Sequence, residues 1–170
     1  MAKIIDLIAD EAPQQSLVGS LLRGSGMTLS AAESCTGGEI SHLITTIPGA
    51  SEYYLGSVTS YSPAVKTSVL GVDADAIEKC GIVSSEVAAQ MAEGVRRLTG
   101  STYAVSTTGW ADSYGDEHEP AGTVWVGIAG PKCSKTVRFN YNYGRKRNIE
   151  LFAISALDEL TKMIQDDLNQ

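Results

Sequence analysis

A short glycine turn between a strand-like run and a helix-like run constrains this chain more than any other segment. The turn has the sequence Ala32-Glu33-Ser34-Cys35-Thr36-Gly37-Gly38. Strand-to-helix junctions of this kind are typical of α/β domains, and backbone N–H groups at a helix start favour phosphate or a developing oxyanion. Many glycine-rich turns serve packing alone, so a purely structural turn is the alternative interpretation.

Apolar periodicity along the rest of the chain alternates between helix and strand. Helical spacing covers 2–22, restarting at Pro13, and then 39–46, 63–70, 73–80, 85–98 and 145–168, while strand-like runs cover 28–34, 53–61, 103–107, 123–129 and 135–141. In the helix over 85–98, Ser84 is the predicted N-cap and the predicted core stripe is Val87, Met91, Val95 and Leu98. In the last helix, the predicted inward residues are Ile149, Phe152, Ala153, Ala156, Leu157 and Leu160. The pattern predicts an α/β fold, a single layered domain over 1–170 with a mixed β-sheet flanked by helices.

Composition excludes several classes of protein. A net charge of −7 argues against a nucleic-acid binder, which would carry a basic face. The three cysteines lack metal-ligand spacing and indicate reduced thiols, and no metal or other cofactor is expected. No apolar run approaches the ~20 residues that span a bilayer, and the start of the chain has no signal-peptide profile. We therefore expect a cytoplasmic protein without membrane contact.

The glycine turn contains two candidate nucleophiles, Ser34 and Cys35. Ser34 needs a base, whereas Cys35 is intrinsically more reactive and lies near a helix start that can lower its pKa. The two histidines of the chain, His42 and His118, lie in a helical run and a loop, so a Ser-His-Asp triad is poorly supported. A lysine can replace histidine where burial lowers its pKa, and Lys66 is the candidate. From the residues alone, a solvated position on a helix is the favoured alternative for Lys66.

Ordered blocks over about 14–160 resemble the CinA C-terminal family, the nicotinamide-nucleotide amidohydrolases. The likeness begins at Leu29-Ser30-Ala31-Ala32-Glu33-Ser34-Cys35-Thr36-Gly37-Gly38. It continues through Ile47-Pro48-Gly49-Ala50-Ser51, Gly56-Ser57-Val58-Thr59-Ser60-Tyr61-Ser62 with Lys66, Leu70-Gly71-Val72 and Gly81-Ile82-Val83-Ser84-Ser85-Glu86-Val87-Ala88. Met91-Ala92-Glu93-Gly94, Thr108-Gly109 and Pro120-Ala121-Gly122-Thr123-Val124-Trp125 complete it.

The resemblance implies a stand-alone amidohydrolase that deamidates nicotinamide mononucleotide to nicotinic acid mononucleotide and ammonia. It implies a catalytic set of Ser34, Tyr61 and Lys66, with Cys35 as supporting packing. The substrate-binding candidates are Glu33, Thr36, Gly37, Gly38, Thr108, Gly109, Arg145 and Arg147. Glu33 has three possible roles, which are to orient Lys66, to contact the ribose or to cap a neighbouring amide. The expected partner is a small nucleotide, and we expect a homo-oligomer.

Two segments depart from the family pattern. The loop after the strand over 103–107 usually reads Thr-Gly-Ile-Ala-Gly-Pro, whereas here Trp110 replaces the aliphatic residue and Asp112-Ser113 replace Gly-Pro. Asp112 either opposes a phosphate or supplies a replacement hydrogen bond, and Trp110 either stacks on the pyridine ring or packs under the loop. Before the last helix, Gly-Asp-Arg becomes Gly144-Arg145-Lys146-Arg147-Asn148, so either Arg145 or Arg147 takes the family arginine's role.

Two other functions compete with the amidohydrolase. One is a nucleotide-binding or regulatory module without turnover, suggested by the altered loop. The other is a protein-interaction role linked to competence or DNA repair, which gives the family its name. Ammonia release from nicotinamide mononucleotide distinguishes the first hypothesis from both alternatives.

Overall fold

The computed structural model describes residues 13–169, in which the helices and strands follow the order that the periodicity predicts. The first part of the predicted helix over 2–22 lies outside these residues, and its remainder forms α1 directly after Pro13. The helices are α1 (Gln14–Leu22), α2 (Glu39–Thr45), α3 (Pro63–Leu70), α4 (Ala74–Cys80), α5 (Ser85–Thr99) and α6 (Arg145–Leu168), with a short 3-10 turn at Ala50–Glu52. The strands are β1 (Leu29–Glu33), β2 (Tyr54–Thr59), β3 (Tyr103–Gly109), β4 (Thr123–Ala129) and β5 (Ser134–Asn140).

The strands of the described residues form one five-stranded mixed sheet in the order β2-β1-β3-β4-β5. Strand β1 pairs in parallel with β2 on one side and with β3 on the other. Strands β4 and β5 extend the sheet in antiparallel pairs. After β1 the chain crosses to β2 on one side of β1, and it later enters β3 on the other side. This reversal opens a crevice at the carboxyl ends of the three parallel strands, where ligands bind in open α/β sheets.

Helices cover both faces of the sheet, which confirms the predicted layered α/β fold. Successive side chains of β1 alternate between the faces, with Ala31 in the core under α1, α2 and α6 and Ala32 in the core under α3, α4 and α5. Each core is built mainly from apolar side chains of the sheet and of the helices that cover it. Within the described residues, no helix has both the length and the apolar character needed to cross a bilayer.

Local signals place most helix boundaries where the sequence predicts them. The Ser84 hydroxyl accepts the Val87 N–H at the start of α5, and Ser62 accepts the Val65 N–H at the start of α3. Helix α6 has the predicted bounds, Arg145–Leu168. One predicted core residue is wrong: Leu98 is 56% exposed, because none of the side chains in the last turn of α5 is buried against the sheet.

Candidate functional site

Ser34 lies at the carboxyl end of β1, in the crevice between the two neighbouring parallel strands. Its N–H donates to the Thr107 carbonyl oxygen of β3 at 3.0 Å. On the other side, the Ser60 N–H donates to the Glu33 carbonyl oxygen at 2.8 Å. These two bonds continue the sheet pairing past β1. They fix the backbone of Ser34 and the segment after β2 next to each other.

Lys66 is buried beside Ser34. It lies six residues after Ser60 in the chain. It lies in the first turn of α3, and its Nζ is 2.8 Å from the Ser34 Oγ. The same Nζ donates a hydrogen bond to the Ser60 carbonyl oxygen. Burial lowers the pKa of Lys66 from 10.5 to about 8, since desolvation disfavours the ammonium form. The solvated alternative for Lys66 is therefore wrong.

Cys35 is also buried next to this pair, but its environment suppresses its reactivity. Burial raises the pKa of the Cys35 thiol to about 12, because desolvation disfavours the thiolate. The thiolate is the nucleophilic form of cysteine, so Cys35 is inert near neutral pH. The arrangement favours Ser34 over Cys35 as the nucleophile.

Glu33 holds the glycine turn in place and has no exposed surface. One carboxylate oxygen accepts hydrogen bonds from the Thr36 hydroxyl and from the N–H groups of Gly38 and Ile40. The other accepts the N–H and hydroxyl of Ser41. Of the three predicted roles, the structure assigns Glu33 the capping of neighbouring amides. It does not place Glu33 where a ligand can reach it.

A cavity of about 330 Å³ opens in front of Ser34, a size suited to one small molecule. The predicted residues Ser34, Tyr61, Thr108, Gly109 and Arg145 all line it. Glu33, Thr36, Gly37, Gly38 and Arg147, which the sequence analysis also predicted to bind substrate, are not among the described residues that line it. The remaining lining residues are Cys35, Ile82, Val83, Trp110, Ala111, Asp112 and Tyr114.

Ile82 and Val83 form an apolar part of the cavity that was not predicted as a site. The Thr108 hydroxyl, 2.8 Å from the Ile82 carbonyl oxygen, donates a hydrogen bond to it and joins this segment to the end of β3. The signal was present in the block Gly81-Ile82-Val83-Ser84, which the resemblance includes. Apolar residues in a loop carry no chemical signature of binding, so only their position revealed them.

Tyr61 and Arg145 meet at the mouth of the cavity. The Arg145 guanidinium donates a hydrogen bond of 2.9 Å to the Tyr61 hydroxyl, and it lies 3.8 Å from an Asp112 carboxylate oxygen. Arg147 instead pairs with Glu150 on α6, at 2.8 Å. Of the two candidate arginines, Arg145 is therefore the one that lines the same cavity as Ser34. Within residues 13–169, Tyr61 makes no hydrogen bond to Ser34 or Lys66, so it has no direct contact with the other two members of the predicted catalytic set.

Trp110 is half-buried and lines the cavity, a position compatible with both of its predicted roles. Its indole N–H is buried without a hydrogen-bond partner in the described part of the chain.

His42 and His118 are exposed, and neither lines the cavity. In the same residues, 13–169, no group of three or more His, Cys, Asp or Glu side chains is arranged to hold a metal ion.

Comparison with known proteins identifies relatives across nearly the whole chain. The family model for the CinA C-terminal domain matches residues 11–164. A CinA-like protein from Salinibacter ruber is 46% identical over 151 residues, covering 88% of this chain, and one from a Synechococcus strain is 44% identical over 159 residues. The chain spans little more than a third of the length of these relatives, 37% and 38%.

Solved structures share the fold. The competence damage-inducible protein A of Klebsiella pneumoniae has a TM-score of 0.86 at 27% identity, covering 89% of this chain and 95% of its own. The competence/damage inducible protein CihA of Agrobacterium tumefaciens has a TM-score of 0.83 at 28% identity, covering 94% of this chain and 98% of its own.

Proposed function

The chain belongs to the CinA C-terminal domain family, and on this premise we propose that it is an amidohydrolase with a serine–lysine pair. The proposed reaction is deamidation of nicotinamide mononucleotide to nicotinic acid mononucleotide and ammonia, as the resemblance implies. One observation carries the proposal: the buried Lys66 Nζ lies 2.8 Å from the Ser34 Oγ, beside a cavity for a small molecule. Burial keeps the pKa of Lys66 near 8, which allows a neutral amine to act as base.

In the first step, the Ser34 oxygen attacks the carboxamide carbon while neutral Lys66 takes the hydroxyl proton. The tetrahedral intermediate then breaks its C–N bond, and Lys66 returns the proton to the leaving nitrogen as ammonia forms. In the second step, water attacks the ester and gives a proton to Lys66, which passes it to the Ser34 oxygen. The acid is released and the enzyme is restored.

A developing oxyanion needs a donor close to Ser34. The backbone amides over 36–38 in the glycine turn are the nearest candidates, and two of these three are already engaged. The Gly37 N–H donates to the Ser34 carbonyl oxygen, and the Gly38 N–H donates to Glu33. The Thr36 N–H has no acceptor within residues 13–169 and is the donor of that set best suited to the oxyanion. Tyr61 and Arg145 act at the mouth of the cavity, on the part of the substrate remote from the amide.

The test is ammonia release from nicotinamide mononucleotide by purified protein and three variants. Ser34→Ala and Lys66→Met should each lower kcat by about 10³-fold or more, because each removes a group that takes part in bond making. Cys35→Ala is the matched control and should keep kcat within about threefold, since its protonated thiol takes no part. Loss of turnover in the Cys35 variant with retention in the Ser34 variant contradicts the assignment.

A nucleotide-binding module without turnover is the second candidate, and the altered loop at the cavity favours it. Trp110 and Asp112, both departures from the family pattern, line the cavity directly. A binding module predicts that nicotinamide mononucleotide raises the Tm of the protein, as any ligand of the folded state does, while no ammonia appears. Ammonia release by the unmodified chain excludes it.

A further inference from the structure

Two charged side chains line the cavity among residues 13–169, and they neutralise each other. Arg145 is the cation and Asp112 the anion, and the nearest nitrogen and oxygen are 3.8 Å apart. Arg145 also donates to the Tyr61 hydroxyl at 2.9 Å. The guanidinium therefore faces a carboxylate on one side and a phenol on the other, before any ligand enters. An incoming phosphate has to share this arginine with Asp112.

The pairing of Asp112 with Arg145 is supported by the surrounding backbone. Asn148 is 2% exposed and follows Arg145 by one turn of α6. Its amide nitrogen donates to the Ala111 carbonyl oxygen at 2.9 Å, and its amide oxygen accepts the Tyr143 N–H at 3.1 Å. One buried side chain thus ties the residue before Asp112 to the segment that carries Arg145. The two charges are brought together by a fixed framework.

We propose that Asp112 is a specificity-determining residue that weakens phosphate recognition by neutralising Arg145. The inference rests on the proposed function, and it concerns which form of a nicotinamide substrate the site prefers. A phosphomonoester carries nearly two negative charges at neutral pH, so it is attracted by Arg145 and repelled by Asp112. The nucleoside lacks this group, so its affinity does not depend on the charges of Asp112 and Arg145. Asp112 therefore reduces the advantage that the nucleotide has over the nucleoside.

The effect is moderate because both side chains are 48% exposed. Exposed ion pairs contribute little, and like-charge repulsion near the surface is also screened. Freeing Arg145 and removing the repulsion together should strengthen phosphate binding by about three- to tenfold. The gain should shrink as salt rises from about 0.05 M to about 0.5 M, since the Debye length falls over this range.

The experiment measures binding by calorimetry in a Ser34→Ala background, where turnover does not interfere. The probes are nicotinamide mononucleotide and nicotinamide riboside. Asp112→Asn is the informative variant, because Asp112 Oδ1 accepts the Ser113 N–H at 2.8 Å and an asparagine oxygen can replace it. This variant should increase the preference for the nucleotide over the riboside by about three- to tenfold. Glu117→Gln makes the same change in net charge on the same loop, outside the cavity, and should leave the preference unchanged.

A second arm tests whether Asp112 acts through the arginine. In an Arg145→Gln background, Asp112→Asn should no longer increase the preference for the nucleotide by the full amount, because there is no guanidinium to release. An unchanged or reduced preference in Asp112→Asn overturns the proposal, as does a full gain that persists without Arg145. Weaker binding of both probes also overturns it, since the carboxylate is then itself a ligand contact.

A wrong substrate assignment and a wrong role for Asp112 give different results. If neither nicotinamide compound binds any variant, the nicotinamide substrate is wrong, and ribose 5-phosphate then serves as the probe. Asp112→Asn should bind ribose 5-phosphate about three- to tenfold more tightly than the parent, and Glu117→Gln should not. No tightening overturns the role of Asp112 whatever the substrate is.

Discussion

Glu33 shows how one residue can hold a candidate site in place without lining its cavity. It immediately precedes Ser34, it is fully buried, and its carboxylate accepts five hydrogen bonds from the turn and from α2. Buried acceptors of this kind contribute most through the cost of leaving their donors unpaired. The turn that presents Ser34 therefore depends on a carboxylate at this position and not merely on a polar residue.

Glu33→Gln should destabilise the protein by about 2–4 kcal/mol, as measured by urea unfolding. In either orientation, the amide NH₂ faces at least two N–H or O–H donors, and these lose their acceptor. The kcat should fall as well, because the turn positions Ser34. Glu39→Gln is the matched control, since it makes the same change on the first turn of α2, and it should cost less than about 1 kcal/mol. Equal effects in the two variants contradict the role given to Glu33.

The contact between α3 and α5 connects a structural glycine to Lys66, the proposed base. Gly94 lies in the middle of α5, and a Cβ at this position would overlap the Leu70 carbonyl oxygen at the end of α3. Helix α3 carries Lys66 in its first turn, so its distance from α5 affects the distance between Nζ and Ser34. At the scale of elements, the site requires close approach of these two helices.

Gly94→Ala should destabilise the protein by about 1–3 kcal/mol, although alanine is the better helix former. The overlap involves backbone on both sides and cannot be relieved by a side-chain rotation. Gly19→Ala in α1 is the control, because its Cβ would lie 3.1 Å from the Tyr53 hydroxyl, which is a tight side-chain contact and not an overlap with backbone. Urea unfolding measures the stabilities and ammonia release measures kcat. A Gly94 variant as stable and active as the Gly19 variant would exclude this contact as a constraint.

The buried lysine also makes the stability of the whole molecule depend on pH. Burial lowers the pKa of Lys66 from 10.5 to about 8 in the folded state. Between these values Lys66 holds more protons in the unfolded chain than in the folded one, so the contribution of Lys66 to stability rises with pH in this window. One pKa unit corresponds to about 1.4 kcal/mol, and the burial of the charge costs on the order of 3 kcal/mol below pH 8. The cost is lost as pH approaches the unfolded value.

Lys66→Met removes this dependence, and urea unfolding from about pH 7 to about pH 10 should detect it. The free energy of unfolding of the variant, compared with that of wild type, should be highest at the lowest pH. This difference should decrease by on the order of 2–3 kcal/mol toward pH 10. The variant also loses the hydrogen bond to the Ser60 carbonyl oxygen. This loss changes its free energy of unfolding by the same amount at every pH, so the variation with pH is unaffected. A difference that does not vary with pH would mean that Lys66 keeps an ordinary pKa.

Local signals in the sequence were sufficient for most of the architecture. The Ser84 cap, Pro63 at the start of α3 and the apolar period of α6 each act within a few residues, so they can be recognised without tertiary information. The blocks matched to the family pattern identified the turn and Lys66 as candidates, and the segment before α6 left Arg145 and Arg147 as alternatives. Leu98 was assigned wrongly because a helical stripe does not indicate where the sheet beneath it ends.

Only the tertiary structure decided how the candidates are used. The proposed role of Lys66 as a base depends on α3, which buries the amine against Ser34, whereas the sequence neighbours of Lys66 suggest a solvated position. Glu33 proved to be a cap, Tyr61 a partner of Arg145, and Asp112 a charge at the same mouth. Each assignment depends on contacts between segments far apart in the chain. Burial and electrostatic pairing are properties of such contacts. The candidate residues can therefore be recognised from the sequence, whereas their chemical environment is determined by the fold.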